Sequence, residues 1–431
     1  MPAAALKSRD PYFDNARAVL IVLVVIGHVI EMSSSGAARG LYTWIYAFHM
    51  PAFILVSGYL ARNFTASAKQ CGRLLASVLV PYLIFDVLHS LVGAAVNGKA
   101  PQFSLGIPAF TLWFLFALVV WRLMVPLLKV LRRPVLVAVA VSLVAGLGTG
   151  TGSAVLDRTL GFLPFFALGI LLTPEGIERF KAATRGALPR IAAVLVLIGT
   201  LGAALLIRDT LPRSALYMKW GYVAVFDSNI EGLLWRAGIL AVALLITVAL
   251  LVLVPAGQTA FTWLGEVTLY VYLLHGLLIS PLRPTIASWD LRWPQVAALV
   301  AGAVLLTLLL GSRPVRLATR WLIEPRVTWL LRPAPQPVAS QPAASEAGGQ
   351  QPTGQQQAWP DPVGQRPGDV PFAGVQPERP ADAALTEATM RLPVVPPPAE
   401  PAASPWPPAA PTQREPYGDL PVRDWERRPG Q

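Results

Sequence analysis

Ten stretches of this 431-residue chain are long and apolar enough to cross a bilayer, and that pattern leaves few ways to fold. They fall at 16–33, 41–61, 75–96, 107–128, 134–150, 158–173, 190–208, 232–254, 263–281 and 294–311. A spanning helix needs about 20 mostly apolar residues. In hydrocarbon each backbone N–H and C=O must also find its partner inside the segment. The expectation is an all-α integral membrane protein of about ten transmembrane helices. The fifth and sixth windows are short and glycine-rich, so eight or nine crossings are the alternatives. Composition agrees, with 54% hydrophobic and 14% charged residues, too apolar for a soluble chain. One cysteine, Cys71, allows neither an intramolecular disulfide nor a cysteine-based metal site, and no metal is expected.

Charge is unevenly distributed. Residues 333–431 carry 7 Lys+Arg against 11 Asp+Glu, a net −4, so the chain's net +11 places +15 on residues 1–332. Between windows, eighteen Lys+Arg fall on one side and eight on the other, which predicts that the N- and C-termini are both cytoplasmic. No basic stripe interleaved with aromatics is present, so no nucleic-acid partner is expected. The "LKSRD" stretch lies far from any small-residue cleavage site, and the first window is read as a retained helix rather than a leader. Two regions are expected: a polytopic membrane body over 1–332 and a tail over 333–431. The tail holds 23 of the 41 prolines and has no apolar period, so it is expected to be a disordered cytoplasmic extension without catalytic role.

Polar residues inside the windows carry the chemistry. All four histidines, His28, His49, His89 and His275, lie in apolar windows. With a rise of about 1.5 Å per residue, each sits roughly 18 to 21 Å from the cytoplasmic edge, in one layer of the outer half of the core. Ionisable groups at that depth are costly and usually face a cavity or a partner. Glu31 follows His28 by three positions and Asp86 precedes His89 by three, so each pair shares a helix face. A carboxylate beside an imidazole fixes its tautomer and raises its basicity, as a general base requires. The bland reading of His49, His89 and His275 is packing across helices. Arg17, eleven positions before His28 and about 16 Å along the axis, puts a cation at the cytoplasmic edge of the same helix. Its bland reading is a snorkelling anchor. Together Arg17 and His28 suit a large anionic cytosolic ligand that sends one reactive arm into the membrane.

The Arg-x10-His spacing within "FDNARAVLIVLVVIGHVIE", followed by "LYTWIYAFHMPAFILVSGYLARNF" (41–64), "LWFLFALVVWRL" (112–123) and "VTLYVYLLHGLLI" (267–279), resembles the acyltransferase 3 family of integral membrane O-acyltransferases. The likeness is greatest to its fucose 4-O-acetylase-like branch and extends to about residue 330. It implies transfer of an acyl group, commonly acetyl from acetyl-CoA, to a hydroxyl, often on a surface or secreted carbohydrate. The position matching the family's essential histidine is His28, and Arg17 matches its paired basic residue. One departure is plain. Many members open the third helix with Arg-x-x-Arg, whereas here Arg73 is followed by Ala76, with Lys69 one turn earlier.

On this reading His28, supported by Glu31, removes the acceptor proton, and Arg17 and Arg73 bind CoA phosphates. His49 and His275 orient the acceptor, and Trp113 and Tyr59 stack on sugar faces. The loop 209–231 is the likeliest outer segment to select the acceptor, against the alternative of a plain interfacial connector. The rival function is a proton-coupled secondary transporter or flippase, with "GLGTGTGS" (146–153) as a broken helix at its site. No internal repeat of the helix pattern supports it.

Overall fold

The computed structural model describes residues 10–325, apart from 32, 34, 99, 102–107, 110, 288 and 290. The 333–431 tail lies outside the described residues. Regular structure among them is entirely helical. Among the described residues, eight helical segments are long and apolar enough to cross a membrane: Pro11–Ile30, Gly36–Ala61, Ala68–Val96, Trp113–Val130, Ala154–Leu171, Ala187–Ile207, Asn229–Leu253 and Trp293–Gly311. Pro134–Val144 and Thr268–Leu282 are apolar but shorter. Every expected window therefore holds a helix, and the chain is a multi-pass membrane protein.

The differences in length have local causes. The fifth window stops at Val144 because the glycine run that follows makes a turn. Gly148, Gly150 and Gly152 all have positive φ, a region that costs glycine least. That turn is pinned from three sides. Gly146 O accepts from Tyr222 N at 2.6 Å, Gly148 N donates to Asn229 Oδ1 at 2.8 Å, and Thr151 N donates to Asp157 Oδ1 at 2.8 Å. "GLGTGTGS" is thus a tethered connector at a helix end. The sixth window divides at Phe162 into α7 (Ala154–Gly161) and α8 (Leu163–Leu171), since Pro164 has no N–H to return to the preceding turn.

The first helix, α1 (Pro11–Ile30), lies at the centre. It packs on α2 (Gly36–Ala61), α13 (Thr262–Glu266), α14 (Thr268–Ile279) and α16 (Trp293–Gly311). Within its spanning window 72% of residues are buried, against 11% for Ala187–Ile207, which stands at the rim. Its N-terminal end is locked. Asn15 Nδ2 donates to Pro255 O and Gly257 O at 2.9 and 2.7 Å, while its Oδ1 accepts from Thr259 and Thr262 hydroxyls at 3.0 and 2.6 Å. Tyr12 donates to Leu251 O at 2.8 Å. Gly265 runs directly against the Asp14 backbone, leaving no room for a Cβ. Lys181, on the interfacial helix α9 (Pro174–Ala183), pairs with Asp10 at 3.3 Å and Glu178 at 2.5 Å. Burial alone would lower its pKa, but those two carboxylates outweigh it and raise the group above the ordinary lysine range.

Candidate functional site

His28 lies two residues from the C-terminal end of α1, where helical spacing brings Glu31 back to the same face. Its Nδ1 is 3.3 Å from Glu31 Oε2 and 3.0 Å from the Tyr46 hydroxyl. A carboxylate only accepts, so Nδ1 carries the ring proton and Nε2 presents the lone pair. Gly27 lets the Tyr46 ring come this close, since a Cβ there would stand 3.2 Å from it. Glu31 is the hub of the cluster. Its Oε1 accepts from Tyr42 and Tyr217, each at 3.4 Å, and the two hydroxyls meet at 2.5 Å. Its Oε2 faces Arg283 at 3.8 Å, and its backbone carbonyl accepts from Arg213 Nη1 at 2.9 Å. Both members of the His28–Glu31 pair are only about 15% exposed.

Two further expected residues join this cluster. The His275 ring centroid is 5.4 Å from that of His28, and Tyr46 bridges to His49 with ring centroids 4.6 Å apart. His49 and His275 are completely enclosed, and each donates its Nδ1 proton to the carbonyl four residues back, at 2.8 and 3.0 Å. His89, on α4 (Val80–Asn97), does the same with Phe85 O at 2.8 Å. Its sequence neighbour Asp86 instead accepts from Ala109 N at 2.9 Å, closing the loop before α5 (Trp113–Val130). The Asp86–His89 pairing suggested by spacing is therefore not formed by that carboxylate oxygen. Trp113 opens α5 with its ring under the Arg158 guanidinium at 5.1 Å and stacked on Phe162 at 5.7 Å.

The other expected residues lie at the opposite end of α1. Arg17 forms an ion pair with buried Asp14. Tyr59 stacks on Phe13 with centroids 4.2 Å apart and carries the Arg62 guanidinium 3.9 Å above its ring, so the structure does not bring it to His28. Arg73 is exposed in α3 (Ala68–Leu74), directly before a π-helical segment, Leu75–Leu79, that contains Ala76. Such segments interrupt the α-helical register.

A family model described as an acyltransferase domain, Acyltransferase 3, matches residues 10–312, which takes in both ends of α1 and every residue of the cluster. The chain belongs to the acyltransferase 3 family. Among curated relatives, it is 27% identical over 207 residues to Nodulation protein NolL of Sinorhizobium fredii, covering 42% of this chain and 54% of that protein. It is 26% identical over 187 residues to Nodulation protein NolL of Mesorhizobium japonicum, covering 39% and 49%. The chain thus spans about half the length of the curated relatives it matches. No solved structure matches it.

In this cluster the sequence reading did not name Tyr42, Tyr46, Tyr217, Arg213 or Arg283, each of which contacts His28 or Glu31. Tyr42, Tyr46 and His49 stand at helical spacing on one face of α2, a signal that was available. Tyr217 and Arg213 come from α11 (Arg213–Tyr217), inside the 209–231 loop. Arg283 reads only as a loop charge in sequence, and nothing local marks it.

Proposed function

We propose that this protein is a membrane O-acyltransferase that moves an acyl group, acetyl in the simplest case, from acyl-CoA to a hydroxyl of a carbohydrate or another surface or secreted acceptor. The observation that carries this reading is the His28 imidazole, held by Glu31 through Nδ1 so that Nε2 is the basic atom. In the reaction His28 Nε2 takes the acceptor proton as the hydroxyl oxygen attacks the thioester carbonyl, then returns it to the departing CoA thiolate. Glu31 fixes the tautomer and balances the imidazolium that forms between the two steps. His49 and His275, with Nδ1 committed to backbone carbonyls, offer Nε2 acceptors to orient the acceptor. Arg17 and Arg73, at the other end of the bundle, bind donor phosphates. With the N- and C-termini in the cytoplasm, the CoA moiety stays on the cytosolic side and its acyl arm extends along α1 to His28. Trp113 stacks on a sugar face of the acceptor, and Tyr217 and Arg213, from the 209–231 loop, hold Glu31.

The test uses inverted membrane vesicles holding wild type or His28→Ala, incubated with radiolabelled acetyl-CoA. Label should pass into a glycan, lipid or soluble fraction only with wild type. Equal transfer by the variant, inserted normally, would overturn the role of His28. No transfer by either would overturn acetyl transfer as the activity.

A further inference from the structure

His275 faces His28 directly, with ring centroids 5.4 Å apart and planes tilted by 34°. It is completely enclosed, and its Nδ1 proton goes to Val271 O at 3.0 Å. That bond fixes the tautomer and leaves Nε2 with a lone pair and no proton. The Nε2 atom is buried and has no hydrogen-bond partner among the described residues. An acceptor held in the interior without a donor costs free energy, yet the hydroxyls nearby are spent elsewhere. Tyr272, whose ring centroid is 5.9 Å from that of His275, donates to Thr111 O. The Tyr46 hydroxyl is held 3.0 Å from His28 Nδ1. His89 Nε2 is likewise buried without a partner, but no ring contact among the described residues joins it to His28. His275 alone combines an unmet acceptor with a place beside the general base.

The two neighbouring imidazoles, each committed through Nδ1, offer only lone pairs. A single alcohol has one proton to give and serves one ring. Hydroxyls on adjacent carbons give one proton each, and bonds of about 2.8 Å from such a pair span rings whose centres lie 5.4 Å apart.

Resting on the acyl-transfer reading above, we propose that the acceptor is a vicinal diol, with one hydroxyl bound to His28 Nε2 and its neighbour bound to His275 Nε2. The first hydroxyl passes its proton to His28 as its oxygen bonds to the thioester carbon. The C–S bond then breaks, and CoA leaves as the thiol with the proton from His28. The second hydroxyl keeps its proton and donates it to His275 throughout, which makes His275 a specificity-determining residue. The product is a monoester. Acylation next to an existing ester is disfavoured, since an ester oxygen accepts but has no proton to donate.

The experiment follows label from radiolabelled acetyl-CoA in inverted vesicles holding wild type, H275F, H275Q or His28→Ala. The acceptor probes are a cyclohexane trans-diol with its hydroxyls on adjacent carbons and the monomethyl ether of the same diol, which keeps the second oxygen and removes its proton. Both are small and uncharged, so both cross the bilayer. The quantity read is the ratio of initial rates on the two probes in one preparation, from which the folded fraction cancels. Wild type should favour the diol roughly 10- to 100-fold. H275F, which keeps the ring without its nitrogens, should bring the ratio to within about threefold of one. H275Q, whose amide oxygen restores an acceptor, should fall between them. A wild-type ratio near one overturns the proposal, whatever the variants do. An H275F ratio equal to that of wild type overturns it too, since the second hydroxyl would then be read elsewhere. So does label that enters host glycans or lipids but neither probe, because a hydroxyl pair would not be what the site recognises. Failure of the acyl-transfer reading itself looks different: wild type labels nothing, or His28→Ala labels as wild type does.

Discussion

The two ends of α1 carry similar residues and treat them differently. At the N-terminal end Tyr12, Asn15 and Asp14 are nearly or wholly buried, and their polar atoms are met by backbone carbonyls, threonine hydroxyls or Arg17. At the other end His28 and Glu31 remain partly open: their side chains meet at 3.3 Å, and Glu31 accepts from two tyrosines at 3.4 Å, while Tyr46 holds His28 at 3.0 Å. Hydrogen bonds in resting active sites are often long and tighten only when substrate is bound. Full satisfaction is the mark of structure, and loose or missing satisfaction in a rigid frame marks a place kept for something else.

On this contrast, variants of His28 and Glu31 should cost activity at little cost in stability, and variants of Tyr12 and Asn15 the reverse. Glu31→Gln should have the largest effect. It keeps the shape but loses the charge and the tautomer control, so transfer should fall roughly 10²- to 10⁴-fold, while the melting temperature in detergent moves little. A variant that melts far earlier would make Glu31 a structural residue and break the comparison. Next in size is Asn15→Leu, which strands two carbonyls and two threonine hydroxyls in the α12–α13 connection, where α12 is Asn229–Leu253. A loss of about 1–3 kcal/mol is expected, read as lower thermal stability, with the folded fraction still transferring at the wild-type rate.

Tyr42→Phe removes one of the two hydroxyls that donate to Glu31 and the partner of Tyr217. About 0.5–1.5 kcal/mol is at stake, so a rate reduction of roughly 2- to 10-fold is expected. A larger loss, approaching that of Glu31→Gln, would promote Tyr42 from support to direct participation. The smallest effect belongs to Lys181→Met, which removes ion pairs to the more exposed Asp10 and Glu178. A change within about 1 kcal/mol and unaltered transfer are expected. Because its folded pKa is raised, the pair's contribution is complete below the ordinary lysine range and fades as pH rises through the raised value. A difference in melting temperature between wild type and Lys181→Met that grows rather than fades as pH rises through the lysine range would contradict that sign.

Particular residues show how much could be read without coordinates. The windows were legible because the demand for internally satisfied backbone is local to each segment; the fifth was overextended because Gly146 and Leu147 still read as apolar while the chain had already turned. The His28–Glu31 pair was legible because both lie on one helix, three positions apart, where geometry follows from the helical repeat. The same rule offered Asp86 to His89, but Ala109 N claimed the carboxylate. Tyr59 looked like a companion of the site and lies at the Arg17 end, since residues ten and thirteen positions apart on α2 (His49 or Tyr46 to Tyr59) are separated by about 15 to 20 Å.

The sequence alone determined the membrane class, the helix-bearing windows, the family and the paired groups within single helices, because each depends on composition or on the fixed rise and turn of one helix. Only the tertiary structure decided that Tyr46, Tyr217, Arg213 and Arg283 meet around His28 and Glu31. It also decided that Asn15 is saturated. Contacts between distant segments depend on how each helix is rotated and shifted against its neighbours, and that is set by side-chain packing across the whole bundle.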